Sequence, residues 1–202
     1  MVRIAFAVIL LTSVLSALPA HGSRQTRPFA GIGLLVIRPL TTESTDAGDL
    51  IPVYEDPAIK RVAELKATSL PGLFTAIRVS SGNYATVVMD KKGDWLKIAY
   101  DNADREGWIE MKKYWEYIPW RDFLKGRHAV LLPKLRGSDY KLRVECSDIS
   151  EPLADIPPLG DFQVIEVDGD WVKVRTGQSA EGCIRWRGGD GRFLISPGEN
   201  GP

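Results

Sequence analysis

Histidine and cysteine each occur only twice in these 202 residues, and that scarcity excludes whole classes of chemistry. A centre built from imidazole and thiolate needs three or four such ligands in one place. His21, His128, Cys146 and Cys183 are too few and too scattered for that, so neither a metal nor another cofactor is expected. A thiol nucleophile needs a base beside it, yet both histidines precede both cysteines. The chain also lacks an excess of charge of either sign, with 26 basic and 26 acidic side chains. Long-range attraction to nucleic acid or to an anionic membrane requires a basic surplus, and there is none. After the first apolar run, no stretch is long enough to span a bilayer.

That first run lies at the N-terminus. Met1-Val2-Arg3 is followed by a mostly apolar stretch from Ile4 to about Leu18, shorter than the roughly 20 residues of a spanning helix. It ends in Ala17-Leu18-Pro19-Ala20-His21-Gly22, small and helix-breaking residues in the pattern of a cleaved signal peptide. Residues 1–22 are therefore expected to be an export signal, cut after Gly22 or alternatively after Ala20. Membrane attachment would require the signal to stay uncleaved. An exported, periplasmic or envelope-associated protein meets oxidising conditions, where Cys146 and Cys183 form an even pair suited to a bridge. Such a bridge would close a loop of about 38 residues and stabilise by roughly 4 kcal/mol. Two buried free thiols are the other reading of the same residues.

The rest of the chain repeats itself, and an internal repeat governs how a fold is read. Asp94-Trp95-Leu96-Lys97-Ile98 recurs as Asp170-Trp171-Val172-Lys173-Val174, each after a glycine, Gly93 and Gly169. A β-branched run precedes each copy, Thr86-Val87-Val88-Met89 and Val164-Ile165-Glu166-Val167. A polar loop follows, then Gly107-Trp108-Ile109 or Gly182-Cys183-Ile184. Further upstream, a constant shift of 91 positions lays Ile51, Val53, Val62, Ala63 and Leu65 on Leu142, Val144, Leu153, Ala154 and Ile156. The copies differ in the middle, where the first holds an insertion of about fifteen residues between Lys66 and Asn83. Within that insertion, Leu73 to Val79 reads as an extra strand or short helix.

Short β-branched segments punctuated by Gly, Asp, Asn and Pro predict an all-β protein. Strand alternation puts Leu96 and Ile98 on one face with Trp95 and Lys97 on the other, and repeats this with Val172, Val174, Trp171 and Lys173. Lys91-Lys92-Gly93 and Asp168-Gly169 are the expected hairpin turns. The order of parts resembles the second half of bacterial Src-homology-3 (SH3b) domains: branched strand, Gly-Asp-Trp-hydrophobic-Lys-hydrophobic, polar loop, then Gly-Trp-Ile. The resemblance implies two tandem small SH3-like barrels, at 50–120 and 127–196. An N-terminal extension (23–49), a linker (121–126) and a tail (197–202) complete the chain. The second copy departs from the family pattern by placing Cys183 where the tryptophan belongs. On the 91-position shift, Cys146 corresponds to Glu55, so a bridge would tie that arm to the Gly-Cys-Ile strand.

The resemblance implies binding to cell-wall (peptidoglycan) peptides or to an envelope protein, without catalysis. Candidate ligand contacts are the aromatics Tyr54, Trp95, Trp108, Tyr114, Trp115, Tyr117, Trp120 and Trp171, since such rings offer large contact area with a polar tip. The alternative for the segment from Tyr114 to Trp120 is packing between the modules, which would leave a purely structural accessory protein. A third reading, a glycan hydrolase, would draw on Asp101, Asp104, Glu106, Asp148, Glu151 or Asp155 as paired carboxylates. His128, in Lys125-Gly126-Arg127-His128, reads as part of the linker.

Overall fold

The computed structural model describes residues 27–38, 50–71, 83–101, 103–177 and 179–198. Residues 1–22, read as a signal, and Leu73 to Val79 lie outside the described residues. Among the described residues, apart from one five-residue helix and two short 3-10 turns, the regular structure is β.

The first seven strands are β1 (Gly33–Ile37), β2 (Leu50–Tyr54), β3 (Arg61–Lys66), β4 (Tyr84–Lys92), β5 (Trp95–Ala99), β6 (Glu106–Glu110) and β7 (Glu116–Pro119). Helix α1 (Trp120–Leu124) leads to β8 (His128–Leu131), β9 (Lys141–Arg143), β10 (Pro152–Asp155), β11 (Asp161–Asp168), β12 (Trp171–Thr176), β13 (Glu181–Arg185) and β14 (Ile195–Pro197). The sheet orders are β3-β2-β6-β5-β4-β1-β7 and β10-β9-β13-β12-β11-β8-β14. Adding seven to each label of the first sheet produces the second. The repeat is thus one antiparallel topology used twice.

Three features of the sequence reading are corrected by this topology. Gly33–Ile37 sits inside the first sheet, hydrogen-bonded to β4 on one side and β7 on the other, so this part of the stretch read as an extension is a strand of the first module. All five of its residues are buried, and a strand buried on both faces reads as the continuous apolar run Gly-Leu-Leu-Val-Ile. His128 likewise opens β8 and is no part of a linker. The second module runs to Pro197, one residue into the stretch read as a tail.

The Gly-Asp-Trp elements form as the alternation predicts, with Leu96, Ile98, Val172 and Val174 buried and Trp95 and Trp171 on the other face. The first turn is one residue shorter than expected, and the second lies one residue later. Lys92 pairs with Trp95 and Asp168 with Trp171, leaving Gly93-Asp94 and Gly169-Asp170 as two-residue connections. Gly93 and Gly169 have φ of 60° and 56°, the positive values a first turn residue needs in a tight hairpin. Lys91 and Lys92 belong to the strand.

The upstream arms keep their alignment only in part. Tyr54 pairs with Trp108, and Arg143 with Cys183, which makes Arg143 the counterpart of Tyr54 and shortens the shift to 89 positions on this arm. Val53 and Leu142 are then equivalent buried residues, while Val144 is exposed. On the returning arm Leu65 and Ile156 remain matched and buried. The two-residue difference is absorbed by the hairpin connection, 55–60 in the first module and 144–151 in the second. Cys146 therefore lies in that longer connection, not on the strand.

The cores are not one per module. One cluster, with Leu35, Ile51, Val53, Leu96, Ile98, Ile109 and Trp115, belongs to the first module. The other joins Ala30, Leu34, Val36, Val87, Trp120, Phe123 and Leu124 to the interior of the second. Residues 28–32 strap the modules together: Ala30 N donates to Gly191 O at 2.9 Å and Phe193 N to Pro28 O at 3.1 Å. Arg187 Nη1 adds a bond to Gly31 O at 2.9 Å. Among the described residues no helix is long and apolar enough to cross a membrane.

Candidate functional site

The eight aromatic candidates separate into an interior set and a surface set. Trp115 is 4 % exposed and packs in the core of the first module. Trp120, 3 % exposed, stands edge-on to Phe193 at 5.0 Å and to Phe123 at 5.6 Å, with Trp186 at 6.1 Å. Its indole N–H donates to Ala30 O on the inter-module strap. These two tryptophans cannot meet a ligand without the fold opening. The aromatic segment therefore serves packing at both positions, Trp115 within the first module and Trp120 where α1 and the strap close the gap between the modules. Trp186 and Phe193 complete this cluster; neither was singled out in the sequence, since their partners lie on the strap and on α1.

Tyr114 and Tyr117 are half-buried. The Tyr117 hydroxyl donates to Ile32 O at 3.3 Å, and burial pushes its phenol pKa up. Tyr114 stands edge-on to Trp115 at 6.1 Å.

What remains is an outward face across β2, β5 and β6. Pairing sets Tyr54 opposite Trp108, Trp108 opposite Lys97 and Trp95 opposite Glu110. Tyr54 and Trp95 are half-exposed and perpendicular, with centroids 5.3 Å apart, the edge-to-face geometry that ring quadrupoles favour. Trp108 points to the same side but is only 3 % exposed, with the Lys92 ammonium 4.6 Å from its ring centre. It is a floor for the face and no free contact. Lys97 reaches Glu106 at 2.6 Å, so the face combines two accessible rings with cations and carboxylates.

The second module fills the same positions differently. The Cys146–Cys183 bridge is formed, with Cα atoms 4.9 Å apart, and occupies the place of Trp108. Trp171 is capped by the Arg185 guanidinium 4.7 Å from its ring, and Arg185 is held in turn by Asp148 through Nε at 2.9 Å and a second, Nη2 contact. A surface pocket of about 250 Å³ lies beside the bridge, lined by Arg121, Cys146, Glu166, Val167, Asp168 and Lys173. Small-molecule sites usually start near 300 Å³.

Four of the six candidate carboxylates, Asp101, Glu106, Asp148 and Asp155, are partners in surface ion pairs. Arg105 holds the Asp101 carboxyl below its ordinary range, first through its backbone N–H and then through its guanidinium. The Arg185 hydrogen bond does the same to Asp148. A glycan-cleaving acid must keep its proton near neutral pH, and these two are biased the opposite way. Asp155 pairs with Lys141 at 2.6 Å. His128 Nδ1 lies 3.1 Å from Asp161, both groups exposed. Among the described residues no cluster of three or more His, Cys, Asp or Glu could hold a metal.

Comparison with known proteins adds little. No protein-family model matches the chain and no curated protein matches it. Among solved structures, NlpC1 from Trichomonas vaginalis is similar over 87 % of this chain, at 10 % identity and a TM-score of 0.31. The chain covers 49 % of that protein. A likeness of that size carries no argument about this chain.

Proposed function

We propose that the chain is a non-catalytic binding protein of two SH3-like modules, working outside the cytoplasm, where its disulfide persists. Its first module would hold an extended peptide, from an envelope protein or the cell wall, across Tyr54 and Trp95. The observation that carries this reading is the half-exposed perpendicular pair Tyr54–Trp95 above the Trp108 floor. Rigid rings lose little conformational freedom on binding and dominate peptide and protein contacts. Lys97 and Glu106 beside them supply polar partners for a peptide backbone or its charged side chains. The second module has its equivalent floor replaced by the bridge and its tryptophan capped by Arg185, which favours the first as the gripping one.

The test is retention of the purified protein on envelope proteins in a pull-down and on sedimented peptidoglycan. Wild type should be retained by one of the two, and Trp95→Ala should cut that retention about tenfold or more. Retention on neither, or retention indifferent to Trp95→Ala and Tyr54→Ala, removes the reading. A second reading, a rigid accessory subunit without a groove, is favoured by the core that both modules share. It predicts a partner that survives both substitutions.

A further inference from the structure

We propose that the β9–β10 connection, residues 144–151, is a pre-formed docking prong that seats Ile149 in an apolar socket of a protein partner, a socket rimmed by Lys or Arg. Ile149 is 95 % exposed at the tip, with Val144 and Leu153 exposed to either side. An exposed aliphatic residue means little by itself. What sets this one apart is how completely the chain around it is fixed.

Cys146 is bonded to Cys183 of β13, and Asp148, next to Ile149, takes both arms of the Arg185 guanidinium from the same strand. Arg143 Nη1 donates to Ser150 O at 2.6 Å. Glu145 N donates to Ser150 Oγ at 2.9 Å, and Val144 N to Glu151 O at 3.1 Å. Ser147 Oγ accepts from Ile149 N at 3.4 Å. A loop ordered before binding loses little entropy on binding, which is how cyclised and disulfide-braced loops gain affinity.

The repeat provides independent support. The corresponding β2–β3 connection also carries an isoleucine at its tip, Ile59, 78 % exposed. That tip is closed by Glu55 N to Lys60 O at 2.8 Å and Ile59 N to Asp56 O at 3.0 Å. Val62 and Leu153, matched in the repeat, are both exposed on the strands that follow. The two tips differ in length and sequence, Glu-Asp-Pro-Ala-Ile-Lys against Val-Glu-Cys-Ser-Asp-Ile-Ser-Glu, and keep the apolar point. Packing does not explain it, because neither isoleucine belongs to a core.

Charge selects the partner. Glu145 and Glu151 flank the prong without an ion-pair partner among the described residues, Asp148 is paired with Arg185, and Arg143 is the remaining cation beside the loop, so the balance around Ile149 is acidic. Acidic flanks repel an anionic lipid surface and complement a basic rim. The site does not depend on the Tyr54–Trp95 reading, because different side chains carry it.

The full-length, oxidised chain, immobilised, should be panned against a phage library of small folded domains with randomised surfaces, and enriched domains purified and titrated. Domains with an apolar pocket edged by Lys or Arg are expected. Ile149→Asp should weaken them about tenfold or more, with an unchanged thermal midpoint, since the side chain contacts no core. Cys146→Ser with Cys183→Ser should weaken them as well, by freeing the loop. Failure to enrich any domain, or affinities indifferent to Ile149→Asp, overturns the prong. Loss with Trp95→Ala alone overturns it too, while supporting the aromatic face. Ile149-dependent binding to phosphatidylglycerol vesicles would overturn the protein partner.

Discussion

Gly31 shows how much one position can decide. Its φ is 54°, and a Cβ there would sit 2.2 Å from Val88 O and 2.8 Å from a Val87 methyl. The first obstacle is backbone of a central strand, which cannot swing aside. Gly31→Ala should therefore destabilise by about 2–4 kcal/mol in denaturant unfolding, combining strain at positive φ with overpacking. Gly93→Ala shares the positive φ but meets nothing within 4 Å, so it should cost about 1 kcal/mol or less. Equal effects at the two sites would show that the strap is not tightly packed. At Asp148 the prediction concerns pH. Its pKa is lowered in the folded state by Arg185, so the stability it contributes is present above the unfolded value of about 3.9 and is lost as pH falls through the lower folded value. Asp148→Asn should be less stable than wild type near neutrality, by a margin that shrinks toward zero in strong acid. A margin that is constant from pH 7 to pH 2 would rule this out.

Among the elements, the β9–β10 hairpin depends most on one covalent link. β9 pairs with β13 at a single register position, Arg143 with Cys183, and β10 is an exposed edge strand. The bridge adds a bond where the ladder is short. Reduction, or the double serine variant, should cost about 2–4 kcal/mol, and amide exchange should accelerate first in residues 141–155. Uniform acceleration across both sheets would contradict a local role. The hairpin also shows why sequence alignment erred by two residues on this arm. Apolar residues alternate every second position, so Val144 could replace Leu142 opposite Val53 without breaking the pattern. Only the pairing partner, Cys183 against Arg143, excludes it.

At the scale of the whole molecule, the two sheets are bound by a shared core. Trp120 of α1 touches Trp186 and Phe193 of the second module and bonds to Ala30 of the strap. Trp120→Ala should cost about 3–5 kcal/mol as a fully buried large-to-small change. Wild type should unfold in a single calorimetric transition with equal calorimetric and van 't Hoff enthalpies. Two resolved transitions would mean that each module folds on its own. Residues 128–198 alone should be poorly folded, because their core would lose Ala30, Leu34, Trp120 and Phe123.

The linear chain by itself determined the all-β class, the repeat and the inward and outward faces of the Gly-Asp-Trp strands, while it left Cys146 and Cys183 open between a bridge and two buried thiols until the fold brought them together. Each of the features it determined follows from local pattern: branched residues, a period of two and turn glycines. Tertiary structure decided what the aromatics do. A tryptophan is equally suited to a core and to a binding face, and only the packing of the first sheet puts Trp115 inside, and only the strap and α1 put Trp120 inside, while Tyr54 and Trp95 stay open. It also drew β1 from the apparent extension into the first sheet. A single buried strand has no partner in its own sequence, since hydrogen bonds to β4 and β7 join residues some fifty and eighty positions away. Such long-range pairing leaves no local trace.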